Sequence, residues 1–311
     1  MADAGGLFGL LSIFKNEAHI MAEWIDHYVA EGVDKFYLID NGSTDDYMPI
    51  LTPHIVSGLV VLVKDAKRHA QVEHYNKHFH AAITRECAWV MTVDFDEFLY
   101  ARKPHATTKA YLATLPAAIH QVRVPWKMFG SGGHVAQPPS AAEGFTMRQS
   151  YARPVLKHCK SIARAANIGQ LNTHEVYFNE EWVWHHRVCR VADALPCLYK
   201  LSLLARLYIK RSHVAGHDVL PDMSAPSYGL TYPQQALTET MLEHSALHCN
   251  HYFIQSKQWY GDVKMTRGDV TIKSADHAYR TWWFFDQNDF KDVVDTELKD
   301  KAAARRAKAA Q

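Results

Sequence analysis

Cysteine is scarce in this sequence, and neither sign of charge is in clear excess. The five cysteines among 311 residues form no C-x-x-C pair and are odd in number. This argues against a disulfide framework and favours reduced thiols in a reducing compartment. Lysine and arginine number 34 and aspartate and glutamate 33, which gives a formal net charge of +1. That balance provides no overall attraction toward nucleic acid or an anionic membrane.

Long apolar runs are also missing. The N-terminal run Leu7–Phe14 is too short to cross a bilayer, is interrupted by Ser12, and follows no basic segment such as a signal peptide carries. With 48% hydrophobic residues, the chain can still bury the core of one large domain or two small ones. We therefore expect a soluble, cytoplasmic protein with no signal peptide and no transmembrane segment.

Apolar strands alternate with helical patterns over the first hundred residues. We predict strands at 6–14, 35–40, 59–63 and 89–93, and helices at 19–31, through 50–51 and at 72–87. This alternation favours a parallel sheet covered on both faces, in which ligands bind beyond the carboxyl ends of the strands. Polar clusters stand at three of those ends, in Lys15-Asn16-Glu17, Asp40–Asp46 and Asp94–Glu97.

The end of the fourth strand carries three carboxylates. In an extended chain Asp94 and Asp96 project to one side and Glu97 to the other, because strand side chains alternate. Two carboxylates leaving a buried strand are costly unless a positive charge meets them. A divalent cation that also contacts phosphate fits this need, since hard cations take oxygen ligands.

The C-terminal part of the chain has a weaker pattern. Residues 235–255 favour mainly helix. The tail Lys299–Gln311 is rich in alanine, lysine and arginine, which is typical of a solvated helix or a frayed end.

Seven segments, in order along the chain, match the motifs of one class of enzymes. They are Lys15-Asn16-Glu17, E-W-I-D-H-Y on the first helix, D-N-G-S-T-D after the second strand, V-D-F-D-E-F after the fourth, W-K-M-F-G-S-G-G at 126–133, Lys160-Ser161-Ile162 with His174, and Asn250-His251-Tyr252 followed by Ser256, Lys264 and Arg267-Gly268. In these segments the chain resembles nucleotide-sugar glycosyltransferases of the GT-A type. The likeness is greatest to family 92 and related family 2-like enzymes, and it runs from about residue 8 to residue 270.

The resemblance implies a fold and a domain division. The expected fold is α/β, a GT-A (Rossmann-like) mixed sheet flanked by helices, with a C-terminal extension on the acceptor side. Residues 1–270 would form a single domain, in which 1–100 bind the nucleotide and 101–270 close the acceptor and metal side. Residues 271–311 would form a helical extension.

The resemblance also implies a donor site for a nucleoside diphosphate sugar, most often a uridine one. Asp94 and Asp96 would form the D-x-D motif that holds Mn²⁺ or Mg²⁺ against the diphosphate, and His251 would complete the metal site. The metal would act as a Lewis acid that stabilises the charge on the leaving diphosphate. We expect the following residues to bind the nucleotide sugar: Asn16, Glu17, Asp40, Gln71, Asp94, Lys160 and Arg267.

The expected reaction is transfer of a hexosyl or deoxyhexosyl group, with inversion, to a hydroxyl of a glycan or other acceptor. Inversion needs a general base that takes the proton of the acceptor hydroxyl. The sequence leaves three candidates for it, Glu175, Asp262 and Asp218. Here the chain departs from the family pattern, because Gln258 and Trp259 replace the usual acidic pair.

Two alternatives stay open at this stage. One is a non-catalytic module that binds nucleotide sugars or carbohydrate, which the missing acidic pair favours. The other is a metal-dependent phosphohydrolase with an Asp nucleophile at D-F-D. The position of the motif disfavours the hydrolase, because such enzymes of the haloacid type carry it after the first strand and here it follows the fourth. The oligomeric state is open.

Overall fold

The computed structural model describes residues 6–117, 119–152, 155–156, 158–174, 176–179, 212–214, 217–219, 236–267 and 280–309. The strands are β1 (Leu7–Phe14), β2 (Lys35–Asp40), β3 (Val60–Lys64), β4 (Cys87–Thr92), β5 (Glu97–Ala101), β6 (Gln121–Met128), β7 (Met147–Arg148), β8 (Val155–Leu156), β9 (Cys159–Arg164), β10 (Ile168–Leu171), β11 (Val176–Phe178), β12 (Ser212–Val214), β13 (His217–Val219), β14 (Ala236–Leu237), β15 (Leu247–His251) and β16 (Val293–Val294). The helices are α1 (Ala18–Ala30), α2 (Met48–Val56), α3 (Gln71–His78), α4 (His80–Glu86), α5 (Thr108–Ala113), α6 (Ala141–Gly144), α7 (Glu239–His244), α8 (Lys257–Asp262), α9 (Trp282–Asn288) and α10 (Glu297–Ala309), with 3₁₀ turns at Ala165–Asn167 and Lys264–Thr266.

The four predicted N-terminal strands form one parallel block in the order β4-β1-β2-β3. The register aligns their carboxyl ends, since Phe14 at the end of β1 pairs with Asp40 at the end of β2, and Asp40 pairs with Lys64 at the end of β3. The loops that follow these strands therefore meet at one edge, where the sequence predicts the ligand site.

Antiparallel strands extend this block and make the sheet mixed. β9 pairs antiparallel with β4 and with β6, and β12 continues the sheet beyond β6. β15 lies between β5 and β6, antiparallel to the first and parallel to the second. The predicted GT-A architecture, a mixed α/β sheet flanked by helices, is confirmed. The boundary predicted at residue 270 stays a prediction.

Apolar helix faces cover both sides of the sheet. On α1, residues spaced three and four apart are at most 2% exposed and face the strands, as an amphipathic helix requires: Ile20, Met21, Trp24, Ile25 and Tyr28. On the opposite side Tyr75 and Phe79, from α3 and its end, and Ile83 of α4 pack against Leu11 and Ile39. None of the described helices has the length and apolar character needed to cross a membrane.

Two secondary-structure predictions were wrong in part. The helix expected at 72–87 is two helices, because Phe79 leaves helical dihedral angles and its buried ring packs edge-on against Tyr37. Within 235–255, residues Leu247–His251 form a strand instead of a helix. Pairing with β5 on one side and β6 on the other outweighs the local helical preference of this segment.

The polar tail is a mostly exposed helix through Ala309, as one of the two expectations has it, and two of its cations also dock on the domain. Leu298 of α10 is 2% exposed and belongs to the main core. Lys301 and Arg305 both reach Glu31 at the end of α1, at 2.7 and 2.5 Å. The sequence pattern of the tail could not predict this docking, because the partner of its cations lies at the other end of the chain.

Candidate functional site

A cleft of about 730 Å³ opens at the edge where the parallel strands end. Its wall combines the loops after β1, β3 and β4 with His251 at the end of β15 and the segment 264–267. Three charged pairs or clusters lie in or beneath it, around Asp94, Asp96 and Glu17. The residues that line it and carry charge or metal-binding capacity are Lys15, Glu17, Lys67, Arg68, His69, Asp94, Asp96, His174, His251, Lys264, Arg267 and Arg280.

Residues Asp94–Glu97 form a tight turn. β4 ends at Thr92, and the backbone N–H of Glu97 donates to the carbonyl of Asp94 at 3.1 Å. The Glu97 carboxylate returns toward this turn and accepts the N–H of Asp94 at 2.7 Å. The expectation that Glu97 points away from Asp94 was therefore wrong, because side-chain alternation holds only for extended chain.

Lys160 lies beneath the turn and neutralises its first carboxylate. Its Nζ is 2.7 Å from Oδ2 of Asp94 and 3.1 Å from Oε2 of Glu97, and it also donates to the carbonyl of Thr173 at 3.0 Å. Burial lowers the pKa of Lys160, but the two carboxylates outweigh burial and hold it above the ordinary value. Lys160 is fully buried and is not part of the cleft wall. Its predicted contact with phosphate stays a prediction.

Asp96 meets two residues from the C-terminal half of the chain. Its Oδ2 is 2.8 Å from Nζ of Lys264, and its Oδ1 is 3.5 Å from Nε2 of His251. Burial raises the pKa of Asp96, but Lys264 and His251 outweigh burial and hold it well below its usual range. These two partners therefore keep the Asp96 carboxylate ionised.

Asp96, Glu97 and His251 form a group with the composition of a metal site. Each is buried and offers one ligand atom, and these atoms all lie within 4.8 Å of one another. Oε1 of Glu97 is buried without a hydrogen-bond partner, and Nε2 of His251 lies 4.0 Å from it. Burial raises the pKa of Glu97 well above its usual range, Lys160 opposes the rise, and the nearby Asp94 and Asp96 add to it. Two carboxylates and an imidazole suit a divalent cation such as Mn²⁺.

This group differs in one member from the set that the sequence predicts. Asp96 and His251 are in both, whereas Glu97 takes the place of Asp94. The reason is the tight turn together with Lys160, which already occupies Oδ2 of Asp94. The assignment of metal ligands stays a prediction, and the geometry favours the set with Glu97.

Glu17 and Arg267 form the second charged pair in the cleft wall. Nη1 of Arg267 is 2.5 Å from Oε1 of Glu17, and Nη2 donates to the carbonyl of Asn16 at 2.9 Å. Oε2 of Glu17 is buried and accepts no hydrogen bond. The pair connects the loop after β1 to the C-terminal segment across the cleft.

Asn16 and Asp40 organise the loops at the cleft without lining it. Asn16 has a φ of 56°, and its Oδ1 accepts the N–H of Thr44 at 2.7 Å, which joins the loops after β1 and β2. Asp40 accepts the N–H of Ser43 at 2.7 Å and the hydroxyl of Tyr47 at 2.8 Å. Their predicted contacts with the nucleotide stay predictions. Gln71 does line the cleft, with its Nε2 2.6 Å from the hydroxyl of Tyr75.

The cleft wall carries more positive than negative charge. Six lysine or arginine residues line it against three carboxylates, an excess of three positive charges if histidines are neutral. A cleft with that balance attracts an anion of high charge density, such as a diphosphate.

The sequence model of Glycosyltransferase family 92 matches residues 11–189, more than half of the chain. The chain belongs to glycosyltransferase family 92. The family likeness is thereby confirmed, and the matched range contains six of the seven motifs. The match covers the parallel block, the Asp94–Glu97 turn and Lys160, which are the parts that build the floor of the cleft.

Solved structures resemble this family 92 chain only distantly. TarS of S. aureus is 17% identical over 51% of this chain and 28% of its own, with a TM-score of 0.34. Glucosyl-3-phosphoglycerate synthase of Mycobacterium tuberculosis, solved with Mn²⁺, uridine diphosphate and glucosyl-3-phosphoglycerate, is 21% identical over 40% of this chain and 46% of its own, with a TM-score of 0.26. The chain thus covers less than two thirds of each of these structures. No curated protein sequence matches it.

The candidates for the general base are not brought together in this family 92 cleft. Asp262 is exposed on α8 and is not part of the wall. Glu175 lies outside the described residues, and Asp218 lies on β13 with its side chain outside the description. His174 lines the cleft beside Trp126, at 5.3 Å between ring centroids, and burial lowers its pKa to about 3.

Sequence reasoning missed two residues of the site. Lys264 was noted in a motif, yet its pairing with Asp96 joins residues 168 positions apart and carries no local signal. Glu97 was separated from Asp94 and Asp96 by the assumption of an extended chain. A tight-turn reading of D-F-D-E would have placed Glu97 correctly.

Proposed function

We propose that this cleft binds a nucleoside diphosphate sugar, a uridine one by the family resemblance, and that the protein transfers the sugar to a hydroxyl of a glycan or other acceptor with inversion. The transferred group would be a hexose or deoxyhexose. The observation that carries the proposal is the positively charged cleft of a family 92 chain with the Asp96, Glu97 and His251 group in and beneath its wall.

The charge distribution supports a diphosphate as the bound group. Lys264 and Arg267 lie three residues apart at the cleft and each pairs with a carboxylate of the wall. A diphosphate between them would share these cations with Asp96 and Glu17, and charge-assisted hydrogen bonds to phosphate are among the stronger polar contacts in proteins. Asp94 is the carboxylate of the turn with an exposed side chain, at 38%, so it is accessible to the sugar or ribose.

The group of Asp96, Glu97 and His251 would hold Mn²⁺ or Mg²⁺. Oε1 of Glu97 is buried without a hydrogen-bond partner and lies 4.0 Å from Nε2 of His251, which supports this fit. Burial lowers the pKa of His251, which keeps the imidazole neutral and able to act as a ligand. When bound, the metal would stabilise the negative charge on the leaving diphosphate as a Lewis acid.

The residues of the wall would orient the donor, and a base would activate the acceptor. Glu17 and Arg267, which are 250 residues apart in the sequence, pair in the cleft wall. This pair would hold the nucleotide end of the donor in one position. The base stays a prediction among Glu175, Asp218 and Asp262.

Binding and turnover of the donor test this function. We expect UDP-sugars to raise the melting temperature in the presence of Mn²⁺, because a ligand that binds only the native state stabilises it. We also expect the donor to be consumed faster in the presence of an acceptor hydroxyl, and EDTA to stop this consumption.

Three outcomes would contradict parts of the proposal. Binding of the donor without any release of UDP would favour the non-catalytic module. Unchanged turnover in EDTA would remove the metal from the proposal. Failure of every nucleoside diphosphate sugar to bind, with and without Mn²⁺, would overturn it.

A further inference from the structure

We infer that Lys264 is an exchangeable counter-ion of Asp96, which a divalent cation displaces and which then contacts the diphosphate of the donor. The inference rests on the proposed function and deepens it. It assigns Lys264 as a positioning residue that couples metal binding to donor binding.

Lys264 donates a hydrogen bond to the carboxylate that the metal would bind. Its Nζ lies 2.8 Å from Oδ2 of Asp96, while Oδ1 of the same carboxylate is 3.5 Å from Nε2 of His251. Asp96 belongs to the group of ligand atoms within 4.8 Å of one another. A divalent cation bound to this group would therefore stand close to the ammonium of Lys264, and two cations at such short range repel each other.

The two lysines of the site differ in how firmly they are held. Lys160 is fully buried and has three acceptors, on Asp94, Glu97 and Thr173, so moving it would leave a buried charge unpaired. Lys264 is 18% exposed and lines the cleft, and within the described part of the chain its ammonium has one carboxylate partner, Asp96, besides the Trp259 ring, whose centroid lies 5.4 Å away. Lys264 is thus the cation that can move at small cost.

The cleft provides a second partner for the displaced lysine. Lys264 opens the 3₁₀ turn Lys264–Thr266, and Arg267 follows on the same wall. When a metal binds Asp96, a diphosphate in the cleft would accept a hydrogen bond from the ammonium of Lys264. The metal then competes with Lys264 less when the diphosphate is present, so each ligand strengthens the binding of the other.

The test measures Mn²⁺ affinity directly, by calorimetry or by electron paramagnetic resonance of free Mn²⁺, without any turnover. In the absence of nucleotide, Lys264→Met should bind Mn²⁺ at least about fivefold more tightly than the wild type, since the competing cation is gone. The matched control is Lys257→Met, which removes the same charge from an exposed position on the preceding helix and should stay within about twofold. Lys264→Arg, which keeps the charge, should stay near the wild type.

The same measurement with UDP tests the coupling. We expect UDP to strengthen Mn²⁺ binding about tenfold in the wild type and less than about threefold in Lys264→Met. Asp96→Asn should abolish Mn²⁺ binding both in the wild type and in Lys264→Met. Circular dichroism and the melting temperature show whether each variant is folded.

Unchanged or weaker Mn²⁺ binding by folded Lys264→Met would overturn the inference, and so would a UDP effect equal in both proteins. Absence of Mn²⁺ binding in every variant would overturn it as well. Tighter Mn²⁺ binding by Lys264→Met, with no nucleoside diphosphate sugar bound or consumed by the wild type, would support displacement at Asp96 and contradict the proposed function.

Discussion

Two largely buried clusters in this protein each combine carboxylates with cations. They differ in whether all of their polar atoms already have a partner. The C-terminal cluster consists of Glu31, Lys301 and Arg305. The cleft cluster consists of Asp94, Asp96, Glu97, Lys160, Lys264 and His251. Both join the N-terminal half of the chain to segments far along the sequence.

In the C-terminal cluster the buried carboxylate is fully used. Glu31 accepts the N–H of Ala101 at 3.0 Å and both the N–H and the hydroxyl of Thr108 at 2.7 Å. Its other oxygen meets Lys301 and Arg305 at 2.7 and 2.5 Å. No capacity is left for a ligand, and the cluster holds α10 against the domain.

In the cleft cluster the hydrogen-bonding capacity of the side chains is not fully used. Oε1 of Glu97 has no hydrogen-bond partner, and Asp96 pairs with Lys264, which lines the open cleft. Buried polar atoms without partners are costly and usually have a specific reason. The comparison teaches that buried charge alone does not identify a site, whereas buried charge with unused ligand atoms beside a cleft does.

The largest expected effect is a loss of turnover when the cleft cluster is changed. Under the proposed function, Asp96→Asn should lower turnover of the UDP-sugar on the order of 10³-fold, because the proposed metal would lose a charged ligand and the leaving diphosphate would lose its stabilisation. Initial rates of UDP release would measure this. Asp26→Asn, at an exposed position of α1, serves as the matched control and should leave the rate unchanged. A rate for folded Asp96→Asn near that of the wild type would contradict the assignment of the cleft cluster.

The second effect concerns stability and belongs to the C-terminal cluster. Glu31→Gln should lower the free energy of unfolding by about 3 kcal/mol, because Lys301 and Arg305 lose their shared anion in a buried setting. Urea denaturation would measure the loss, and turnover per folded molecule should not change. Glu73→Gln, which breaks only the exposed pair with Lys67, should leave stability unchanged. Equal stability of Glu31→Gln and the wild type would show that α10 is held by its apolar contacts alone.

The smallest effect is the pH dependence of the difference in stability between the wild type and Glu31→Gln. Burial raises the pKa of Glu31, but His27, Lys301 and Arg305 outweigh burial and hold it below the ordinary value of 4.5. The unfolded chain therefore takes up this proton first as the pH falls, so the contribution of Glu31 is present above about pH 4.5 and is lost below it. The stability difference between the wild type and Glu31→Gln should narrow from pH 7 to pH 3. A constant difference over this range would contradict a lowered pKa.

The sequence by itself determined the parallel block and the position of its functional edge. The strands at 35–40 and near 7–14, 60–64 and 87–92 follow from runs of β-branched, aromatic and aliphatic residues, which bury well on both faces of a parallel sheet. The order of seven short motifs was sufficient for the family. Asp94, Asp96, His251, Glu17, Gln71 and Arg267 were predicted as site residues and all line one cleft.

Only the tertiary structure decided how the charges are paired. Lys264 with Asp96, Arg267 with Glu17, and Arg305 with Glu31 join residues 168, 250 and 274 positions apart, and no local pattern specifies such partners. The Asp94–Glu97 turn, by contrast, is held by two local hydrogen bonds between Asp94 and Glu97. Periodicity reports which face of an element is buried, because burial acts on each residue separately. The pairing of charges depends on which distant segments the fold brings together.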